Sequence, residues 1–120
     1  MPDNQNGAAT ARRRGGLEPA SKQSLSALVS YAPGSVVSRT IIDRQAGTVT
    51  LFAFDEGEGL SEHTAAYDAL LFILEGEALV TVSGATSEVK QGEAIVLPSG
   101  QPHSVRAGAR FKMLLTMIRE

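Results

Sequence analysis

The chain reads as one all-β domain of barrel type, and three observations predict it. Its 120 residues fall within the size of a single domain. From Ser24 onward, short apolar segments recur between Gly, Pro, Asp and Ser, at roughly the 8–12 residue spacing of sandwiches and barrels. Two of those segments are apolar on both faces, whereas a strand in a half-solvated antiparallel sheet alternates apolar with polar. Apolar residues make up 42% of the chain, enough for one core.

Taken in order, residues 1–23 are rich in Asn, Gly, Ala, Arg, Ser and Pro, with Leu17 the only large aliphatic after Met1. So little apolar surface does not offset the entropy of ordering a chain, so this stretch reads as a flexible arm preceding a barrel domain over 24–120. Arg12, Arg13 and Arg14 lie within it and read as a solvated tail. Leu25–Tyr31 fits either a short helix or an edge strand. The expected strands are Val36–Ile42, Thr48–Phe54, Ala69–Leu74, Ala78–Val82, Ser87–Lys90, Ala94–Leu97, His103–Arg106 and Phe111–Ile118. Thr48–Phe54 carries Val49, Leu51 and Ala53 on one face, Phe52 and Phe54 on the other. Phe111–Ile118 sets Phe111, Met113, Leu115 and Met117 against Leu114 and Ile118. A small barrel has no second layer to cover both, so the expected cover is another subunit and the expected assembly a homodimer.

Composition narrows the function. The net charge of −2 argues against nucleic acid or an anionic membrane as the main partner. Absence of cysteine excludes disulfides, thiolate catalysis and Cys-based metal sites, and fits a reducing compartment. The apolar runs are far shorter than the roughly 20 residues a spanning helix needs. No apolar stretch follows the arginines as an export signal requires, so the expected location is cytoplasmic.

Two stretches then stand out. Gly57 is followed by five residues and His63, and Gly76 closes the first stretch. Gly92, Pro98, Gly100 and His103 form the second, with fifteen residues between Gly76 and Gly92. Together they resemble the paired motifs of the cupin family. That resemblance implies a double-stranded β-helix, a jelly-roll barrel of two antiparallel sheets. In metal-dependent cupins two histidines and a glutamate of the first motif, with the histidine of the second, bind one divalent ion. Here His63 and His103 occupy two of those positions, while Ala65 stands at the second histidine, Ala69 at the glutamate and Ala107 at the closing asparagine.

The resemblance therefore implies a site built on His63 and His103, holding one divalent ion (zinc, iron, manganese or nickel) or none. Glu62, Tyr67, Asp68 and Gln101 are the nearby groups that would supply a third ligand. Strand alternation turns Glu62 away from His63 unless the chain bulges there. Ala65, Ala69, Leu71, Val105 and Met113 are the expected pocket lining, and a small, largely apolar or carboxylated molecule the expected ligand. The acidic group Asp55, Glu56, Glu58 and Glu62 reads as a solvated loop at the barrel mouth. Two functions follow: a binding module anchored by the two imidazoles, or a metal-dependent dioxygenase, isomerase or decarboxylase with a reduced ligand set.

Overall fold

The computed structural model describes residues 16–120; Arg12–Arg14 and the first fifteen residues of the expected arm lie outside them. Nine strands follow a short 3-10 turn at Leu25–Leu28: β1 Val36–Arg44, β2 Gly47–Phe54, β3 Gly59–His63, β4 Asp68–Glu75, β5 Glu77–Val82, β6 Ala85–Lys90, β7 Ala94–Leu97, β8 His103–Arg106 and β9 Phe111–Ile118. They form two antiparallel sheets, a five-stranded one in the order β1-β2-β9-β4-β7 and a four-stranded one in the order β3-β8-β5-β6. This is the expected all-β double-stranded barrel. Eight of the nine strands fall on the expected segments. The ninth, β3, was not anticipated, because Gly-Leu-Ser-Glu-His turns only Leu60 inward and exposes the rest.

The core lies between the sheets. Leu71, Ile73, Val80, Met113, Phe54 and Phe111 are fully buried there. Phe54 and Phe111 are register partners whose rings stack at 4.4 Å. Burying such side chains contributes roughly 1.5–3 kcal/mol each, and the stack joins β2 to β9 at the centre of the larger sheet.

The expected cover for the second apolar face needs correction. Residues 17–31 of the same chain lie across it, with Val29 buried and Leu17, Leu25, Leu28 and Tyr31 packed on Leu51, Ala53, Ile41 and Leu114. Polar ties hold the segment in place. The Leu28 and Gly16 carbonyls accept from Arg39, and the Ser26 carbonyl accepts from Lys112. Tyr31 donates to Glu75 at 2.6 Å, with the cations of Arg110 and Lys112 about 5 Å from its ring centre (5.1 and 5.0 Å). Leu17 thus belongs to the packed structure, which extends N-terminal of the expected boundary at Ser24. Other subunits are not needed for this half of the face.

Asp55, read from sequence as part of a solvated acidic loop, is a structural tie. It accepts from Arg110 at 2.7 Å and from the Gly34 amide at 2.6 Å. Those bonds, the guanidinium first, lower its pKa to about 2. A depressed carboxylate stabilises the fold above its unfolded pKa, and that contribution is lost as pH falls through about 2. Asp55→Asn is therefore expected to lower the melting temperature at pH 6, with the gap to wild type narrowing steadily below pH 4. A gap independent of pH would show that the carboxylate charge is not what matters.

Gly76, at the turn between β4 and β5, has φ +77°, and a Cβ there would stand 2.6 Å from the Arg110 carbonyl oxygen. Gly92 has φ +85° with open space around it. Gly76→Ala is expected to destabilise by roughly 2–4 kcal/mol, left-handed strain plus the clash, against roughly 1–2 kcal/mol of strain alone for Gly92→Ala. Urea denaturation of both variants measures the difference.

Candidate functional site

At one end of the barrel β3 pairs with β8, and the pairing is irregular. Leu60 faces Val105 and His63 faces His103, so three residue steps on β3 match two on β8. This bulge turns His63 to the same side as His103. Glu62 remains exposed despite it. Beside the pair, the Pro98-Ser99-Gly100 turn is pinned at two points. The Asp68 carboxylate accepts from the Ser99 amide, and the Ala65 carbonyl accepts from the Gly100 amide, both at 2.8 Å. The Gln101 side chain accepts from the Ser83 hydroxyl at 2.9 Å. These contacts fix the approach to β8 and therefore the direction of His103. Asp68 and Gln101, weighed as third ligands, are turning and anchoring groups instead.

His103 is buried, 4% exposed, and His63 lies exposed at the mouth. Their rings meet edge to face, with centroids 4.4 Å apart, and Nε2 of one stands 3.2 Å from Nε2 of the other. The Nδ1 contacts decide the chemistry. His63 Nδ1 lies 2.9 Å from the Ser61 carbonyl oxygen and His103 Nδ1 lies 3.2 Å from that of Gln101. A carbonyl oxygen only accepts, so both Nδ1 atoms carry protons and donate. In neutral imidazoles the two Nε2 atoms then present bare lone pairs to each other. Facing lone pairs at that distance repel unless one cation, a proton or a metal ion, stands between them. Burial first, then the nearby His63, holds the pKa of His103 below its ordinary value. A positive charge on His103 is therefore disfavoured.

The expected lining separates into two groups. Ala65 is half-buried at the mouth beside the histidines. Ala69, Leu71, Val105 and Met113 belong to the packed core, and Leu71 and Met113 are 0% exposed, so no water-sized space touches them. A shallow groove of about 220 Å³ runs alongside on the outside of β3 and β8, between Gly57, Leu60, Ser61, Ser104 and Arg106.

The comparisons agree with this architecture. The Cupin domain family matches residues 50–118. The chain belongs to the cupin family. No curated protein matches it. Among solved structures, this cupin is similar to a conserved protein of unknown function, SPY1581, from Streptococcus pyogenes, at 34% identity over 87% of this chain and 91% of that one, with a TM-score of 0.82. It is also similar to a cupin superfamily protein, DSY2733, from Desulfitobacterium hafniense, at 26% identity over 87% and 95%, with a TM-score of 0.82. A third likeness is to a cupin 2 conserved barrel domain protein from Leptotrichia buccalis, 37% identical over 78% of this chain but 46% of that one, with a TM-score of 0.76.

The donor set can be weighed against the divalent ion the family implies. Two nitrogens each about 2.1 Å from one ion stand about 3 Å apart when they occupy adjacent positions of its shell, close to the observed 3.2 Å. The histidines of this cupin thus match two positions of such a shell. The methyl groups of Ala65 and Ala69 coordinate nothing, and among the described residues no group of three or more His, Asp or Glu side chains converges. The set does not match a tightly held resident ion, which usually has three protein ligands. Nitrogen NMR on histidine-labelled protein is expected to show both Nδ1 atoms protonated near neutral pH, with Nε2 of His103 an acceptor. Protonation of His103 on Nε2 with a bare Nδ1 would contradict the assignment.

Proposed function

We propose that this cupin is a small-molecule binding module whose ligand seats at the barrel mouth, with His63 and His103 as its polar anchors. The supporting observation is the pair of Nε2 atoms converging at 3.2 Å while both Nδ1 atoms are held by backbone carbonyls. Two lone pairs aimed at one point bind an acidic group of a ligand through its proton, or a divalent ion (zinc, iron, manganese or nickel) that the ligand also ligates. The apolar surroundings of the buried partner suit a small, largely apolar or carboxylated molecule. Holding a divalent ion there would supply Lewis-acid polarisation of a ligand oxygen; the chain's own part is to orient two imidazoles and exclude water from one of them.

The same convergence favours a second reading, a metal-dependent dioxygenase, isomerase or decarboxylase in which substrate and water complete the shell. Ligand count separates the two, since the fold hosts many unrelated activities. Elemental analysis of untagged protein, beside His63→Ala and His103→Ala, is the deciding measurement. The binding module predicts well under one equivalent of metal in purified protein, and a thermal shift on adding zinc that both variants lose by at least tenfold in apparent affinity. Near one equivalent of iron, manganese, nickel or zinc per chain, lost in both variants, would replace it with the enzyme reading.

A further inference from the structure

The inside of the barrel is not uniform. On β4 and β5 the inward residues Ala69, Leu71, Ile73 and Val80 are buried. On β2 and the end of β9 the inward Thr50, Phe52, Leu115 and Met117 are only half-buried. Alternation sets Thr50 on that inner face, because Phe52 and Phe54 pack between the sheets while Leu51 and Ala53 pack under residues 17–31. Solvent thus reaches the inner face along β2.

That open wall lies opposite the histidines. Four residues separate Phe54, the end of β2, from Gly59, the start of β3, so the chain turns back on itself from one sheet to the other. Counting away from this connection on both strands, with one residue of β3 spent in the bulge, His63 comes level with Leu51. The inward side chains on either side of Leu51 are Thr50 and Phe52. Stacked sheets pack about 10 Å apart, so the imidazoles and the Thr50 hydroxyl lie within the length of one small molecule.

Thr50 does not stand alone. Its register partner on β1 is Thr40, and their hydroxyl oxygens are 3.0 Å apart. One of the two donates that bond, and whichever does, the other keeps its own proton. Neither hydroxyl has a further partner among the described residues. A second threonine pair, Thr81 and Thr86 at 2.8 Å, is exposed on the outer face of the smaller sheet, where water satisfies it. The Thr40–Thr50 pair instead presents its unspent donor on an otherwise apolar inner wall, with Leu115 as the register partner of Thr50 on the other side.

We infer that the Thr40–Thr50 pair is a second polar subsite of the ligand cavity, and that the ligand is an aliphatic carboxylic acid bearing an oxygen acceptor, such as a ketone, along its chain. This rests on the reading of His63 and His103 as anchors of an acidic group. The acid seats at the imidazoles, the aliphatic chain lies on Phe52, Leu115 and Met117, and the ketone oxygen accepts the spare threonine proton. A plain fatty acid of the same length leaves that donor without a partner once the ligand has displaced solvent, which is how the site tells the two apart.

Calorimetric titration of the full chain, with and without one equivalent of zinc, compares 4-oxopentanoate, 5-oxohexanoate and 6-oxoheptanoate with pentanoate, hexanoate and heptanoate. At least one oxo acid is expected to bind roughly three- to tenfold more tightly than its plain counterpart, the worth of one neutral hydrogen bond. The double variant Thr40→Val/Thr50→Val should lose that preference, and Thr86→Val should keep it. In wild-type protein carrying labelled threonine methyl groups, the oxo acid should shift the Thr40 and Thr50 signals more than the plain acid does, a readout that does not depend on the double variant folding. Oxo and plain acids that bind equally well but require His63 and His103 would overturn the threonine subsite and leave the anchor reading standing. A preference that survives in a folded double variant, or threonine signals that do not move, would do the same. Binding of every probe unaffected by His63→Ala and His103→Ala, or no binding at all, would overturn both.

Discussion

The position of β9 between β2 and β4 constrains everything else in this molecule. Both of its ladders run with little interruption, the only register shift lying at Ile73/Glu75 beside β4. That register sends Phe111, Met113 and Leu115 inward onto Phe54 and Leu71, and sends Leu114, Thr116 and Ile118 outward. A one-residue slip would reverse the two sets. The inward set is fully buried for Phe111 and Met113, so slippage would carry a heavy cost in apolar exposure. With β9 fixed, the larger sheet has two apolar faces, and the remaining architecture answers that fact.

The inner face is answered by the four-stranded sheet, which closes the barrel and brings β8 beside β3. The outer face is answered on one half by residues 17–31. Polar groups decide where that segment lies: Arg39 and Lys112 reach its carbonyls, and Tyr31 reaches Glu75. The first two are side chains of the sheet donating to backbone carbonyls that need donors, and the third joins two side chains. The histidine pair belongs to the same system, since the β8 strand that carries His103 is held at its start by the Asp68, Ala65 and Ser83 contacts around residues 98–102.

Replacing two family ligand positions with Ala65 and Ala69 changes what the site can do. A shell of three or four protein ligands holds an ion before any substrate arrives. Two imidazoles with opposed lone pairs would hold one cation weakly and leave the rest of its shell to whatever binds. Burial of His103 against exposure of His63 makes the two rings unequal. The buried ring resists protonation, while the exposed one meets solvent.

Much of this was legible in the chain. Alternation and glycine spacing marked eight strands, and the offsets from Gly57 to His103 marked both histidines and the barrel type. β3 escaped because an edge strand that buries only Leu60 has no periodicity to read. Asp68, Gln101 and Asp55 were misread as ligand or loop residues because their partners, Ser99, Ser83 and Arg110, lie 18 to 55 residues away. Local pattern determined which residues are apolar on which face, since that depends only on a period of two along a strand. What covers each face, how far the interior is filled and which way a buried imidazole directs its lone pair were decided by tertiary structure alone. Those depend on distances between segments that the order of residues does not contain.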